Sequence, residues 1–231
     1  EQVYTVYVVA ANKKSVLQAA PVRLTATTLP CPQANAGTGG NECDLNFVLN
    51  AVSVLGTGIW TRVSGPGSAI FSPNASNPGA TVTVSSYGDY VFRWTETRGS
   101  CTSSDEITVS FYRQPAANAG SRASTCGRVF QLSAVNPSFG TGTWTMTGGS
   151  GSASFSPGAN SYNATVTVTD YGSKVFTWTV VNGPCTATST VSVEFLEQPV
   201  ANPGPGGNIC GRETTLGAIP SSGSGTWSRV S

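Results

Sequence analysis

Histidine is absent from the 231 residues, methionine occurs once, and charged residues make up only 10%. Without histidine there is no Ser-His-Asp arrangement, and with no Cys-x-x-Cys pair a zinc site has no ligands to build on. The formal net charge is +1 and lysines and arginines do not cluster, so the electrostatic footprint of a nucleic-acid or anionic-membrane binder is missing. No apolar run approaches the roughly 18 to 20 residues of a membrane-spanning helix. The start, Glu1-Gln2-Val3-Tyr4, also lacks the basic-then-apolar pattern of a signal peptide. The expectation is a chain that is not an enzyme, carries no cofactor or metal, binds no nucleic acid and inserts no part of this segment into a membrane.

What is present is repetition. A unit of about 84 residues recurs, and the recurrences fall on the residues that shape small β folds: Cys43, Cys126 and Cys210; Trp60, Trp144 and Trp227; Trp94 and Trp178; Cys101 and Cys185. Threonine and valine suit strands, while glycine, proline, asparagine and serine suit the turns between them. Asn35-Ala-Gly37 matches Asn118-Ala-Gly120 and Asn202-Pro-Gly204, read as an opening strand with a glycine bend. Leu49, Leu132 and Leu216 follow in a second strand, and Gly56-Thr-Gly58-Ile-Trp60 repeats as Gly140-Thr-Gly142-Thr-Trp144 in a third. Ala80-Thr-Val-Thr-Val84 and Ala164-Thr-Val-Thr-Val168 alternate with period two, then Tyr87-Gly88 and Tyr171-Gly172 turn into Val91-Phe-Arg-Trp94 and Val175-Phe-Thr-Trp178. About seven short strands with turn signals every 8 to 12 residues predict an all-β chain of tandem immunoglobulin-like sandwiches. The five tryptophans are expected in the cores, not in a sugar-stacking platform, because they recur at matched strand positions.

A domain of about 80 residues has a thin hydrophobic margin, so a covalent staple is expected. The repeat predicts one disulfide per module, Cys43 with Cys101 and Cys126 with Cys185, leaving Cys31 and Cys210 unpaired within the chain; Cys31 with Cys43 is the rival pairing. Such bridges imply an oxidising compartment outside the cytoplasm. Asp105 and Glu106 with Asp89 or Asp44 are candidate calcium ligands, but Ser189 and Thr190 replace the acidic pair in the second copy, which argues against a shared site. Asn74-Ala-Ser76 and Asn163-Ala-Thr165 have the form of glycosylation sequons and are read as bystanders, and Arg62, Arg93 and Lys13-Lys14 as solvated charges.

The predicted layout is a two-stranded hairpin over 1–30 that turns at Asn12-Lys-Lys-Ser15, a linker at 31–33, complete modules at 34–115 and 116–199, and the first part of a third module at 200–231. That layout suggests a piece cut from something longer. The opening resembles the last hairpin of a fibronectin type III domain at Tyr4, Val6, Val8, Ala10 and Asn12. The order Asn-Ala-Gly, Cys, Gly-Thr-Gly-x-Trp, Phe-Ser-Pro, Ala-Thr-Val-Thr-Val, Tyr-Gly, Val-Phe-x-Trp-Thr, Cys-Thr over residues 34–231 resembles the PKD-like immunoglobulin-type repeats of very large Bacteroidota surface proteins. The Trp-x-Phe-Gly-Asp-Gly segment of standard PKD domains is absent, since Trp60 is followed by Thr-Arg-Val-Ser-Gly65. The resemblance implies a cell-surface adhesin exported across the outer membrane by type IX secretion, with gliding motility as its setting. This segment would be its semi-rigid stalk, partnered by neighbouring modules of the same chain and holding out a region that binds a surface glycan or protein. The alternative is a carbohydrate-binding or accessory array of a secreted enzyme.

Overall fold

A computed structural model describes residues 3–8, 22–27, 30–219 and 221–230. All regular structure in those residues is β. Strands β1 (Val3–Val8) and β2 (Val22–Thr27) pair antiparallel, Val3 opposite Thr27 and Val8 opposite Val22, as a separate two-stranded sheet. The expected turn at 12–15 lies outside the described residues. The chain divides into two compact units, Glu1–Tyr112 and Arg113–Ser231.

Each unit contains one sandwich of seven strands. In the first, β3 (Gly40–Glu42), β9 (Cys101–Phe111), β8 (Gly88–Arg98) and β5 (Thr57–Ser64) form one sheet in that order, and β4 (Asn46–Val48), β7 (Thr81–Val84) and β6 (Ala69–Ser72) form the other. In the second, β10 (Ala123–Cys126), β16 (Cys185–Leu196), β15 (Gly172–Asn182) and β12 (Thr141–Gly148) lie against β11 (Val129–Gln131), β14 (Thr165–Val168) and β13 (Ala153–Ser156). The short first strand of each sandwich runs parallel to the last, and the other pairings are antiparallel. A four-strand sheet opposed by a three-strand sheet in this order is the immunoglobulin-like arrangement.

Alternation explains which side chains go inside. Val82 and Val84 of β7 are buried, as are Tyr90, Phe92, Trp94 and Glu96 of β8 and Ile107, Val109 and Phe111 of β9. The second sandwich buries Val166, Val168, Lys174, Phe176, Trp178, Val180, Val191, Val193 and Phe195 in the same rows. Successive side chains of a strand point to opposite faces, so one residue in two builds the core.

The opening Asn-Ala-Gly is not a strand. Asn35 Oδ1 accepts a hydrogen bond from the Gly37 N–H at 2.8 Å, Asn118 Oδ1 from Gly120 at 2.9 Å and Asn202 Oδ1 from Gly204 at 3.0 Å. The three glycines have φ of 79°, 84° and 78°, a left-handed conformation that glycine adopts without steric cost. The motif is an Asx turn, and the first strand comes later, at β3 and β10, whose residues carry no apolar alternation to announce them.

The third copy corrects the sequence expectation further. No strand forms among the described residues after Leu196, and Leu216 and Trp227 are 56% and 54% exposed, whereas Leu49, Leu132, Trp60 and Trp144 are at most 1% exposed. In the two sandwiches the tryptophan at that position is covered by a second tryptophan from a later strand, Trp94 for Trp60 and Trp178 for Trp144. What does form is local: the Asx turn at Asn202 and one crossing bond, Ile219 N–H to Asn202 O at 3.0 Å. That bond copies Val52 N–H to Asn35 O and Val135 N–H to Asn118 O, both 2.9 Å.

One corner differs between the sandwiches. Tyr90 is buried and its hydroxyl donates to Ser86 O at 2.9 Å, the tyrosine corner of immunoglobulin-like folds. Lys174 occupies the matching place, 1% exposed, with Nζ donating to Tyr171 O at 3.1 Å and Ser150 Oγ at 3.2 Å. Glycine walls both sites, Gly65 against the Tyr90 ring and Gly149 against the Lys174 stem. Burying an ammonium without a carboxylate costs more than burying a phenol that keeps one hydrogen bond. Lys174→Tyr is therefore expected to raise the melting temperature of the second sandwich, by about 1 to 2 kcal/mol of stability. A calorimetric scan showing a lowered transition would contradict this account of the corner.

Candidate functional site: tryptophan pairs and module poles

At the centre of each sandwich two indoles meet across adjacent strands. Trp60 lies opposite Trp94 in the β5–β8 register, with ring centroids 5.2 Å apart and planes at 50°. Trp144 and Trp178 repeat this at 5.0 Å and 45°. Trp60 Nε1 donates to Pro78 O at 3.1 Å and Trp144 Nε1 to Tyr162 O at 3.3 Å. All four side chains are at most 1% exposed, so none can stack on a sugar in solvent.

Gly58 and Gly142 make the pairing sterically feasible. A Cβ on either would come within 3.0 Å of the Trp94 or Trp178 indole, closer than real Cβ contacts. The pattern Gly-x-Trp thus records where a ring from the neighbouring strand passes over the backbone. The pairs differ in one partner: Trp94 Nε1 donates to the buried Glu96 Oε1 at 3.2 Å, whereas Val180 replaces that carboxylate and Trp178 Nε1 has no acceptor among the described residues.

The acidic side chains named from sequence do not converge. Asp105 Oδ2 accepts from Ala36 N–H at 2.9 Å, Glu106 pairs with Arg93 at 2.6 Å across β8 and β9, Asp89 accepts from Ser110 Oγ at 2.6 Å, and Asp44 accepts from Asn46 N–H at 2.7 Å. Among the described residues no three histidine, cysteine or acidic side chains group to hold a metal. Arg62 donates to Gly65 O at 3.0 Å; Asn74 and Asn163 accept from Ser76 N–H and Ser161 Oγ.

The cysteines overturn the pairing expected from the repeat. Cys101 is joined to Cys31, with Cα atoms 5.4 Å apart, so Cys31 is not unpaired. Cys126 is a free, exposed thiol, as is Cys210, while Cys43 and Cys185 are half-cystines. The reason is the length of the last strand. Cys101 opens the eleven-residue β9, and Glu42, next to Cys43, is in register with Phe111 at its far end. Cys43 and Cys101 therefore stand on the order of 33 Å apart along the strand, far beyond the roughly 7 Å Cα separation that a disulfide tolerates. Cys126 is in register with Leu196, while Cys185 opens the same twelve-residue strand β16. The bonds Cys43–Cys101 and Cys126–Cys185 are thus excluded by the same geometry.

The two classes of cysteine thus mark opposite poles. The chain enters each sandwich beside the turn between its two longest strands. Asn182 Nδ2 donates to Arg113 O at 2.7 Å and Gln114 Nε2 to Thr186 O at 3.1 Å, which holds the incoming segment against the β15–β16 turn where Cys185 sits. In the first sandwich the Cys31–Cys101 bond does this covalently, helped by Ala34 N–H to Ser103 Oγ at 3.1 Å. The chain leaves at the other pole, where Tyr112 N–H donates to Glu42 O at 2.7 Å and Gly127 N–H to Leu196 O at 2.9 Å, beside Cys43 and Cys126. Sequence reasoning missed the poles because recurrence says which cysteines are equivalent, not which end of a strand they occupy.

Fold and disulfide together define a tandem immunoglobulin-like β-sandwich protein stabilised in an oxidising compartment. No protein-family model matches the chain, and no curated protein matches it in sequence. Among solved structures it is similar to the insect immune protein hemolin, at 10% identity and TM-score 0.44 over 83% of this chain and 56% of that one. The chain thus spans little more than half of hemolin. It is also similar to extracellular domains 3–5 of Drosophila OTK, at 12% identity and TM-score 0.46 over 78% and 68% of the two chains. Titin domains I67–I69 align at 14% identity and TM-score 0.41 over 76% and 71%. Among the described residues no helix is long and apolar enough to cross a membrane.

Proposed function

We propose that this chain is a stalk segment of a large secreted cell-surface adhesin, a semi-rigid spacer of PKD-like modules that holds out a distal binding region, exported by type IX secretion and serving surface adhesion or gliding. The observation that carries this reading is the pinned incoming segment. A short linker bearing Pro115 is tied by Asn182 and Gln114 to the module it enters, which limits its swing as a spacer requires. The buried tryptophan pairs and the scattered acids speak for scaffolding over catalysis or sugar stacking.

Single-molecule pulling of the full chain tests the mechanical part. In reductant each sandwich is expected to give its own unfolding peak. Without reductant the released length should be shorter by at least the segment locked between Cys31 and Cys101, a sequence separation of 70 residues, equivalent to about 230 to 250 Å. Reductant should restore that length. Extension without peaks, or retention of the chain on a glycan array, would favour the rival reading of a flexible or sugar-binding array. Antibody against residues 34–199 should label intact producing cells, and labelling only after permeabilisation would remove the surface assignment.

A further inference from the structure

Cys126 is exposed and free at the pole where the chain leaves the second sandwich. Cys43, at the same place in the first sandwich, is a half-cystine. Neither can reach the turn cysteine of its own sandwich, because a full strand separates them. At the opposite pole the turn cysteine faces the incoming chain: Cys101 is bonded to Cys31 of the incoming segment, and Cys185 stands by the turn that grips Arg113 and Gln114. One cysteine of the repeat therefore faces what enters, the other what leaves, and the leaving position is one that forms disulfides.

We propose that Cys126 is the outgoing half of a module-to-module disulfide whose partner is the turn cysteine, equivalent to Cys101 and Cys185, of a module that follows. Cys126 would then cross-link the second sandwich to the module that follows it, and Cys31 serves as the incoming partner that caps the first turn cysteine. The bond forms by loss of two thiol protons and two electrons to a disulfide oxidant: the Cys126 thiolate displaces one thiol of the oxidant, and the turn cysteine displaces the other. Oxidised glutathione supplies that chemistry in vitro, yielding two reduced glutathiones per bond. The inference needs the repeat and its polarity but not the adhesin role, so thiol counting can fail while surface labelling succeeds, and the reverse.

The experiment duplicates residues 115–198 in tandem within the full chain, since Gln114-Pro115 and Gln198-Pro199 keep the junction unchanged. Both chains are folded with oxidised glutathione, denatured without reductant, treated with maleimide and weighed. The unaltered chain should label at two thiols, Cys126 and Cys210. The duplicated chain carries two more cysteines, a second Cys126 and a second Cys185, and should still label at two; four would overturn the proposal. Cys126→Ser in the first copy should then raise the count to three by freeing the following turn cysteine, while a fall to one contradicts the assignment. If the duplicated chain folds poorly and labels heterogeneously, non-reducing peptide mapping of the unaltered chain decides: Cys126 joined to Cys185, or Cys43 to Cys101, overturns it.

Discussion

Trp178→Ala is expected to unfold the second sandwich while the first stays intact. Trp178 is fully buried against Trp144, and truncating a core tryptophan costs about 3 to 5 kcal/mol. A domain of this size has a net stability at or near the low end of the roughly 5 to 15 kcal/mol of native proteins, so the loss consumes much or all of it. Gly142→Val should do the same from the other side, because its Cβ would occupy the space of the Trp178 ring on the neighbouring strand and overpacking also destabilises. Limited proteolysis of the full chain reads the outcome: new cleavage should fall within residues 113–199, with 30–112 protected. Cleavage unchanged in both variants would mean that the indole pair does not hold the sandwich together. The same substitution at Trp94 carries a further penalty, because the buried Glu96 carboxylate would lose its indole donor.

The second large effect is covalent. Replacing Cys31 and Cys101 together by serine should lower the melting temperature of the first unit by about 15 °C or more. A bond joining residues 70 apart in sequence constrains the unfolded chain by about 4 kcal/mol in the chain-entropy model, and each kcal/mol shifts a small domain by about 4 to 8 °C. An isolated 34–115 fragment lacks Cys31 altogether. Reductant should leave its melt unchanged, whereas a closed Cys43–Cys101 loop would make it sensitive. The two measurements separate the bond in the structure from the one that the repeat suggested, since only the repeat's pairing leaves the short fragment sensitive to reductant.

How much was legible follows the range of the interactions. The Thr-Val-Thr-Val runs at 81–84 and 165–168 and the Val-Phe-x-Trp runs at 91–94 and 175–178 declare their inner faces by period two alone, and they are strands in the structure. The tryptophan at the end of Gly-x-Gly-x-Trp could be matched between copies without knowing what it touched. Its burial depends on a partner some 34 residues later, Trp94 for Trp60 and Trp178 for Trp144. Trp227 shows that the local sequence alone does not bury the ring: it is 54% exposed. The short strands β3 and β10 were illegible because parallel pairing with β9 and β16, rather than side-chain pattern, makes them strands.

By itself, then, the sequence determined the repeat, the all-β class and the inner faces of the long strands, all set by recurrence or by simple alternation. Only the tertiary structure decided which cysteines can meet, which tryptophans are covered, and that a buried lysine stands where a corner tyrosine is otherwise used. Those outcomes depend on where the two ends of an eleven- or twelve-residue strand lie in space. Two positions can be equivalent in every copy and still be separated by the full height of the sandwich.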